Sequence, residues 1–206
     1  NTTSFTPEDA QLREFIAFDP EQNFPSPSFV RQIENQNLHA LNIPELTIIT
    51  PAALQTEAER VAQLHREEGL TVAVIEQEKI FNEFSSGTPD ASAYRILMKM
   101  FYDRAEGNEN VRPRYLLLFG DGSYNNRKSM EKLHSPECNM LLTYQSKTSI
   151  DERESFVIED YFGFLEDNSG EEIKVDKVCL GLGRFPISSI KNARLEVNKL
   201  YTNEQE

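Results

Sequence analysis

The sequence predicts an α/β protein with a mainly parallel sheet. Two observations predict this class. From residue 44 onward, short apolar runs alternate with segments in which apolar residues recur every three or four positions. The first two apolar runs, Leu46–Thr50 and Leu70–Ile75, are separated by the length of one helix, which is the spacing of a β-α-β unit with parallel strands.

The first helix has start and stop signals. Thr50-Pro51 is a favourable pair for a helix start, and Gly69 stands where a glycine ends many helices. One face of the intervening helix carries Leu54, Ala58, Val61, Ala62 and His65. This face is therefore predicted to pack on the sheet.

The second helix is the most strongly amphipathic segment of the chain. It is predicted to begin at Thr88-Pro89-Asp90 and to end before Gly107. Its periodic apolar residues, which we interpret as core, are Tyr94, Leu97, Met98, Phe101, Tyr102 and Ala105. A strand at Tyr115–Phe119 follows and is apolar throughout, as a central parallel strand is.

The later elements are spaced more widely. A short strand is predicted at Leu141–Tyr144, and a further strand at Val178–Leu182. Ser188 is a suitable cap for a last helix. The inward face of that helix would carry Ala193, Val197, Leu200 and Tyr201.

The beginning of the chain has a different pattern. Leu12–Phe18 is predicted as one strand, which belongs either to a preceding domain or to an edge of the following one. Three prolines between Asp19 and Ser28 indicate a linker. The chain begins with Asn1 rather than Met, which is typical of a processed or excised segment.

The net charge of -13 excludes some classes of partner. A protein that binds the nucleic-acid backbone needs a basic stripe, and the sequence has none. An anionic membrane surface is disfavoured for the same reason, and no run of about eighteen apolar residues predicts insertion into a membrane. The two cysteines do not make a disulfide framework, and Cys179, in an apolar run, is predicted to be a small buried residue.

The acidic residues are concentrated in one stretch. Residues 151–178 contain ten acidic and three basic residues, a net charge of -7. Within this stretch, Glu166–Glu172 places many oxygen donors in a turn, and Ca²⁺ binds about six to eight oxygens. The spacing is not that of an EF-hand loop. A hairpin tip at residues 167–170 explains the same residues without a metal ion, so a cation site and a simple turn both stay open.

Gly120-Asp121-Gly122 comes directly after the strand Tyr115–Phe119. Ligands of open α/β proteins gather at the carboxyl ends of strands, so Asp121 is well placed for a metal or another function. The alternative is a tight turn in which the aspartate bonds its own backbone. Neither a dinucleotide-binding fingerprint nor a P-loop is present, because no glycine-rich turn opens into a helix and the Gly-Lys-Ser/Thr ending is absent.

His134 and Cys138 lie four residues apart, a spacing that raises the possibility of a catalytic Cys/His dyad. Pro136 between them breaks the helix that would align the two side chains, so we favour a chance pairing on a polar loop. His39 and His65 have the pattern of surface residues, and three scattered histidines with two cysteines do not make a zinc site. The Gly-x-Ser-x-Gly elbow of α/β-hydrolases is absent.

Five segments, taken together in their order and spacing, resemble the gingipain-type cysteine peptidases. They are residues 80–87 (IFNEFSSG), 88–91 (TPDA), 115–122 (YLLLFGDG), 160–163 (DYFG) and 183–186 (GRFP). The resemblance covers roughly residues 29–206. It is nearest to the members that remove C-terminal sorting signals from cargo of the type IX secretion system.

The resemblance implies a caspase-like α/β sandwich with a parallel sheet, of which residues 29–206 would be the N-terminal subdomain. Residues 1–28 would then be the end of an upstream β-rich domain and a linker. In the family, the catalytic histidine lies in a Gly-His-Gly turn and the cysteine at a later strand end, both beyond the Gly-Arg-Phe segment. No histidine here is flanked by glycines, so no catalytic residue is assigned and the chain alone is expected to be inactive.

The resemblance also implies a cellular location, a set of partners and a bound metal ion. The parent protein is expected at the cell surface, associated with the outer membrane, with protein substrates and other secretion components as partners. A structural Ca²⁺ is expected at Asp121, Asp160, Asp167, Asn168 and Glu171. A different class of function stays open, a non-catalytic α/β module in which the acidic loop and residues 120–122 bind a cation or a partner. A Gly-His-Gly turn and a later cysteine in the parent sequence would favour the peptidase.

Overall fold

The computed structural model describes residues 16, 18, 19, 21, 24, 26–29, 32–127, 138–148, 150–172, 174–187 and 189–203. The chain divides into two compact units, residues 1–35 and 36–206. The few described residues of the first unit contain no helix or strand. The predicted strand Leu12–Phe18 lies mostly outside the described residues, and the predicted boundary after residue 28 stays a prediction.

The second unit is an α/β sandwich around a four-stranded parallel sheet, as predicted. Its described strands are β1 (Leu46–Thr50), β2 (Val72–Glu76), β3 (Tyr115–Phe119), β4 (Asp121–Gly122), β5 (Met140–Leu141) and β6 (Gly181–Phe185). The sheet has the order β2-β1-β3-β6 with every neighbour parallel, and β4 pairs with β5 separately. In register, Leu46 lies beside Val72 and Tyr115, and Tyr115 lies beside Gly181.

Helices cover both faces of the sheet. They are α1 (Gln55–Glu67), α2 (Gln77–Phe84), α3 (Ser92–Arg104) and α4 (Ile190–Asn203), with 3-10 helices at Leu38–Ala40, Ala52–Leu54 and Asp160–Gly163. One apolar core lies between the sheet and α1 with α4, and the other between the sheet and α2, α3 and the 3-10 helix Asp160–Gly163. None of the described helices is long and apolar enough to cross a membrane.

Alternation along the strands explains the two cores. In β3, Leu116 and Leu118 join the core under α3, whereas Leu117 and Phe119 face the core under α1. A strand that is covered on both faces is mainly apolar along its whole length, which is why the sequence of β3 is an uninterrupted apolar run. The predicted helical faces are confirmed at Leu54, Ala58, Tyr94 and Phe101, whose side chains are fully buried. Leu200, which was predicted on the inward face of the last helix, is 37% exposed.

The start of α3 was predicted too early. Thr88 belongs to the turn after α2, because its N–H donates to the Ser85 carbonyl at 2.9 Å and the Ser85 hydroxyl donates to the Thr88 carbonyl at 2.6 Å. Asp90 acts near the start of the helix instead, where its Oδ1 accepts the N–H of Ser92 at 2.8 Å. Helix α2 has no counterpart among the predicted elements.

The last strand was also predicted too early, at Val178–Leu182. It begins at Gly181 because its partner β3 begins at Tyr115. The residues just before it cross to the 3-10 helix, where the N–H of Cys179 donates to the Gly163 carbonyl at 2.8 Å. Cys179 is consequently half-buried, not buried as predicted.

Two further boundaries differ. The strand predicted at Leu141–Tyr144 is reduced to β5, because the residues after Leu141 bond to side chains rather than to another strand. Helix α4 begins at Ile190, and the hydroxyl of Ser189 accepts the N–H of Asn192 at 3.2 Å. The predicted cap Ser188 lies outside the described residues.

Candidate functional site at the carboxyl end of the sheet

The carboxyl ends of β3 and β6 are joined around the guanidinium of Arg184, whose side chain is 13% exposed. Its Nη1 donates to the carbonyl oxygens of Gly120 and Asp121 at 3.3 and 3.1 Å. Its Nη2 donates to the carbonyl oxygen of Leu142 at 3.2 Å. One side chain therefore ties the segment after β3 to the segment after β5.

Glu159 supplies the counter-charge. Its Oε1 accepts hydrogen bonds from Arg184 Nε at 2.9 Å and from Nη2 at 2.7 Å. Its other oxygen, Oε2, is buried and has no hydrogen-bond partner among the described residues. A guanidinium that loses most of its water needs such a partner, because an unpaired buried charge is strongly unfavourable.

Both glycines of the Gly-Asp-Gly segment are required by close packing. A Cβ on Gly122 would lie 2.9 Å from Cγ2 of Thr143 and 3.1 Å from Cζ of Arg184. A Cβ on Gly120 would lie 3.0 Å from the carbonyl oxygen of Asn139. The absence of side chains here lets β3 and the 138–143 segment approach the guanidinium.

Asn126 holds the segment after β5 from a second direction. Its Nδ2 donates to the Thr143 carbonyl at 2.7 Å, and its Oδ1 accepts the Thr143 N–H at 3.1 Å. The amide thus bonds both backbone groups of one residue, as a neighbouring strand would. The Thr143 hydroxyl in turn donates to the Ser123 carbonyl at 2.8 Å.

Two buried residues, Tyr94 of α3 and Gln77 of α2, also bond to the segment at residues 140–142. The Tyr94 hydroxyl donates to Gln77 Oε1 at 2.7 Å and accepts the N–H of Leu142 at 3.3 Å. Gln77 Nε2 donates to the Met140 carbonyl at 2.8 Å. Burial raises the pKa of Tyr94 far above its usual value, so the phenol stays neutral and keeps its proton.

Asp121 lies at the carboxyl end of β3, as predicted, within the short strand β4. Its Oδ1 accepts the N–H of Gly122 at 2.8 Å, which is the backbone bond that the tight-turn alternative proposed. Asp160 is the first residue of the 3-10 helix and is exposed. Arg184 and the residues that bond to it, which are Gly120, Asp121, Leu142 and Glu159, are here called the Arg184 cluster. Asp121 belongs to this cluster through its carbonyl oxygen, and Asp160 follows Glu159 in the chain, but no contact between the two aspartate carboxylates is described.

The other predicted metal ligands lie in the turn at residues 166–172, here called the acidic turn, and two of them face the ammonium groups of lysines. Asp167 Oδ1 lies 2.9 Å from Lys99 Nζ, and Glu171 Oε2 lies 2.6 Å from Lys147 Nζ. The hydrogen bond and charge of Lys147 lower the pKa of Glu171. Asn168 has a φ of +63° and forms the turn itself, without flanking strands, so the proposed hairpin tip is a turn only.

These residues do not form a ready-made calcium site. Within the described part of the chain, no group of three or more His, Cys, Asp or Glu side chains is placed to hold a metal ion. At the acidic turn, Ca²⁺ would compete with the ammonium groups of Lys99 and Lys147 for the carboxylates of Asp167 and Glu171. The metal assignment accordingly stays a prediction.

The acidic turn is ordered by Arg95 of α3. Its Nε donates to the Phe164 carbonyl at 2.7 Å, and its Nη2 donates to the Ser169 carbonyl at 2.6 Å. The guanidinium also lies 5.4 Å from the ring centroid of Tyr161, a cation–π distance. The Tyr161 ring stacks on that of Tyr144, with ring centroids 3.4 Å apart.

The cysteines and histidines do not form a described catalytic pair. Cys138 is 3% exposed, and His134 lies outside the described residues. Nδ1 of His39 lies 2.7 Å from Glu83, and Nδ1 of His65 lies 2.8 Å from Glu68. Both imidazoles thus lie at the surface beside carboxylates, and their surface position agrees with their sequence pattern.

The residues that organise this site were not predicted from the sequence. Arg184 was noticed only as part of the Gly-Arg-Phe segment, and Glu159 only as one of ten acidic residues. A usable signal was present, because a single arginine inside an apolar strand must be paired when it is buried. Arg95 had no such signal, since a charged residue on an amphipathic helix usually faces water.

Comparison with known proteins identifies one protein family and a similar crystal structure. The family model of peptidase family C25 matches residues 39–206. The crystal structure of dimeric latent PorU from Porphyromonas gingivalis is 44% identical, with a TM-score of 0.71 over 81% of this chain and 16% of that chain. A structure described only as a protease is 11% identical, with a TM-score of 0.49 over 76% of this chain and 27% of that one. A search of curated proteins found no match.

Proposed function

Because the chain belongs to peptidase family C25, we propose that it is the N-terminal α/β part of a gingipain-like cysteine endopeptidase that removes C-terminal sorting signals from type IX secretion cargo. The similarity to PorU is the observation that carries this proposal. It also confirms the resemblance to gingipain-type peptidases, and to PorU among them, that the sequence motifs indicated. The chain spans only 16% of the PorU chain, so the activity belongs to the parent protein.

In the proposed reaction, another part of the parent supplies a cysteine and a histidine. The histidine takes the thiol proton, and the thiolate attacks the peptide carbonyl carbon. The carbon–nitrogen bond then breaks, the leaving amine takes the proton from the imidazolium, and a thioester remains. Water hydrolyses the thioester, or a sugar amine accepts the acyl group. The proposed role of this chain is structural, with its sheet and the Arg184 cluster forming one wall of the cleft.

The experiment compares the parent protein with residues 1–206 alone. We expect the purified parent to cleave a peptide that carries a C-terminal sorting signal, and a thiol-alkylating reagent to abolish cleavage. Cys138→Ala and Cys179→Ala in the parent should retain activity, because neither thiol is the nucleophile. Thiol-dependent cleavage by residues 1–206, abolished by Cys138→Ala, would overturn the proposal.

The proposed location follows from the same similarity. A protein that processes secreted cargo acts outside the cytoplasm, so we place the parent at the cell surface, with other secretion components as partners. Fractionation of cells and digestion of intact cells by an added protease would test this. Protection of the protein in intact cells and its release only after lysis would contradict it.

We also propose a structural Ca²⁺ at the acidic turn, where it would compete with Lys99 and Lys147 for the carboxylates of Asp167 and Glu171. The test is the melting temperature of the parent in millimolar Ca²⁺ and in a chelator, since an ion that binds the folded state must raise it. Lys99→Met removes an ammonium that competes for Asp167 and should enlarge the calcium-dependent shift. An unchanged melting temperature in both proteins would contradict a site at this turn.

A further inference from the structure

We propose that Arg184 is a positioning residue for the peptide-binding cleft of the parent peptidase. The inference rests on the proposed function, since it needs a cleft at the carboxyl end of the sheet. Parallel α/β sheets bind their ligands at that end. Arg184 is the side chain that meets both segments there, residues 120–121 and Leu142, and also Glu159.

The backbone alone does not fix these segments. The ladder between β4 and β5 consists of two residue pairs, Asp121 with Met140 and Gly122 with Leu141. A two-stranded pairing is marginal in water even when it is longer. The guanidinium adds three hydrogen bonds to carbonyl oxygens across this short ladder, and its partner carboxylate keeps it in place.

The arrangement needs an arginine. A guanidinium carries five N–H donors in a planar fork, so it can bond three carbonyls and a carboxylate together. A lysine ammonium is a compact charge with three donors and cannot span the distance from Leu142 to Gly120 and Glu159 at once. Gly122 has no Cβ where one would lie 3.1 Å from Cζ, so the chain is shaped around the guanidinium plane.

The consequence concerns substrate binding. Groups in the wall of a cleft that contact the peptide before and during the reaction contribute uniform binding, and the loss of such binding raises KM while kcat stays nearly unchanged. Loss of the fork should loosen residues 120–122 and 142 without unfolding the sheet. Peptide affinity should therefore fall more than the turnover of bound peptide.

The test uses the full-length parent with the variant Arg184→Lys, which keeps the positive charge beside Glu159. We expect KM for a sorting-signal peptide to rise by about tenfold or more, while kcat changes by less than about threefold. A purely structural role would lower the fraction of active enzyme, and so kcat, and leave KM unchanged. The matched control is Arg114→Lys, because Arg114 lies at the opposite end of the same sheet and is 52% exposed.

Chemical rescue gives a second readout. In Arg184→Ala, millimolar guanidinium ion should restore part of the lost kcat/KM by occupying the vacated position, whereas Arg114→Ala should not respond. If Arg184→Ala does not fold, Arg184→Lys decides the matter alone. A KM for Arg184→Lys within twofold of the wild type would overturn this inference and leave the proposed function standing. A wild-type parent that cleaves no such peptide would overturn both.

Discussion

Arg95 lies across the position where Gly170 would carry a side chain. A Cβ at Gly170 would come 2.9 Å from Cζ of Arg95 and 3.0 Å from its Nη2. The guanidinium cannot swing aside without losing its bonds to the carbonyls of Phe164 and Ser169. Gly170 also has a φ of +92°, a region that L-residues rarely adopt. The acidic turn therefore depends on a glycine for two separate reasons.

Gly170→Ala should destabilise the protein by about 2 kcal/mol or more, since it adds a clash to an unfavourable backbone angle. The control is Gly107→Ala, which has a similar φ of +76° but open space around the new Cβ. Urea unfolding of both variants measures the difference. Equal losses would show that Arg95 moves aside at little cost.

Thr47 carries a buried hydroxyl that has no hydrogen-bond partner in the described structure, in a residue that is 0% exposed. Thr47→Val should stabilise the protein by about 1 kcal/mol, because it removes an unpaired polar group at nearly constant shape. The matched variant is Thr50→Val, which loses a buried bond to the Pro51 carbonyl at 3.2 Å and should be destabilising. Thermal unfolding compares them, and a loss of stability in both would contradict the assignment.

Tyr94 links α3 to the segment after β5 through its hydroxyl. Tyr94→Phe should cost about 1–3 kcal/mol, because the buried Gln77 Oε1 and the Leu142 N–H both lose a partner. Tyr115→Phe is the control, since its ring is 41% exposed and its hydroxyl only accepts a long bond from Arg114 at 3.5 Å. Denaturant midpoints measure both, and equal midpoints would mean that water replaces the lost group.

Glu83 gives the protein a pH dependence. Burial raises the pKa of its carboxyl, but hydrogen bonds from the Leu38 N–H, Gln36 and His39 outweigh this and hold the pKa below its usual value. The folded state therefore binds fewer protons than the unfolded state near pH 4. The resulting stabilisation is present above the ordinary pKa of about 4.3 and is lost as the pH falls through the lower folded-state value.

Glu83→Gln should accordingly be less stable than the wild type at pH 7, by about 1–3 kcal/mol for the lost charged hydrogen bonds. Most of this difference should disappear as the pH falls below the ordinary pKa of about 4.3 and through the lower folded-state pKa. Denaturant unfolding across that range measures it. A difference that stays constant with pH would exclude the carboxylate as its cause.

The sheet could be predicted because its signal is local. Strands buried on both faces are mainly apolar along their length, as in β1 and β3, and the helix between β1 and β2 fixes their parallel direction. Ends of elements were less predictable, since a partner decides them. β6 begins at Gly181 because β3 begins at Tyr115, and no feature of the residues before Gly181 records that.

The site was harder to predict than the fold. Asp121 was correctly expected at a strand end, but its carboxylate bonds the adjacent backbone. The acidic residues between positions 166 and 172 indicated a set of oxygen donors. The sequence could not show that Lys99 and Lys147, which are distant in the chain, contact two of them. Arg184 and Glu159 likewise meet only after the chain has folded. The sequence shows how many charged residues the chain has, but which of them pair is decided by the tertiary structure.

The parallel register has a consequence for the order in which the sheet forms. β1 joins β2 across one helix, Leu46 beside Val72, whereas β3 joins β6 across a connection more than twice as long, Tyr115 beside Gly181. Closing a loop costs roughly 0.6 kcal/mol more for each doubling of its length. We therefore expect β6 to become protected after β1 and β2 in pulsed hydrogen exchange during refolding, and simultaneous protection would contradict this. The strand that carries Arg184 would thus join the sheet only after the β1–β2 pair has formed.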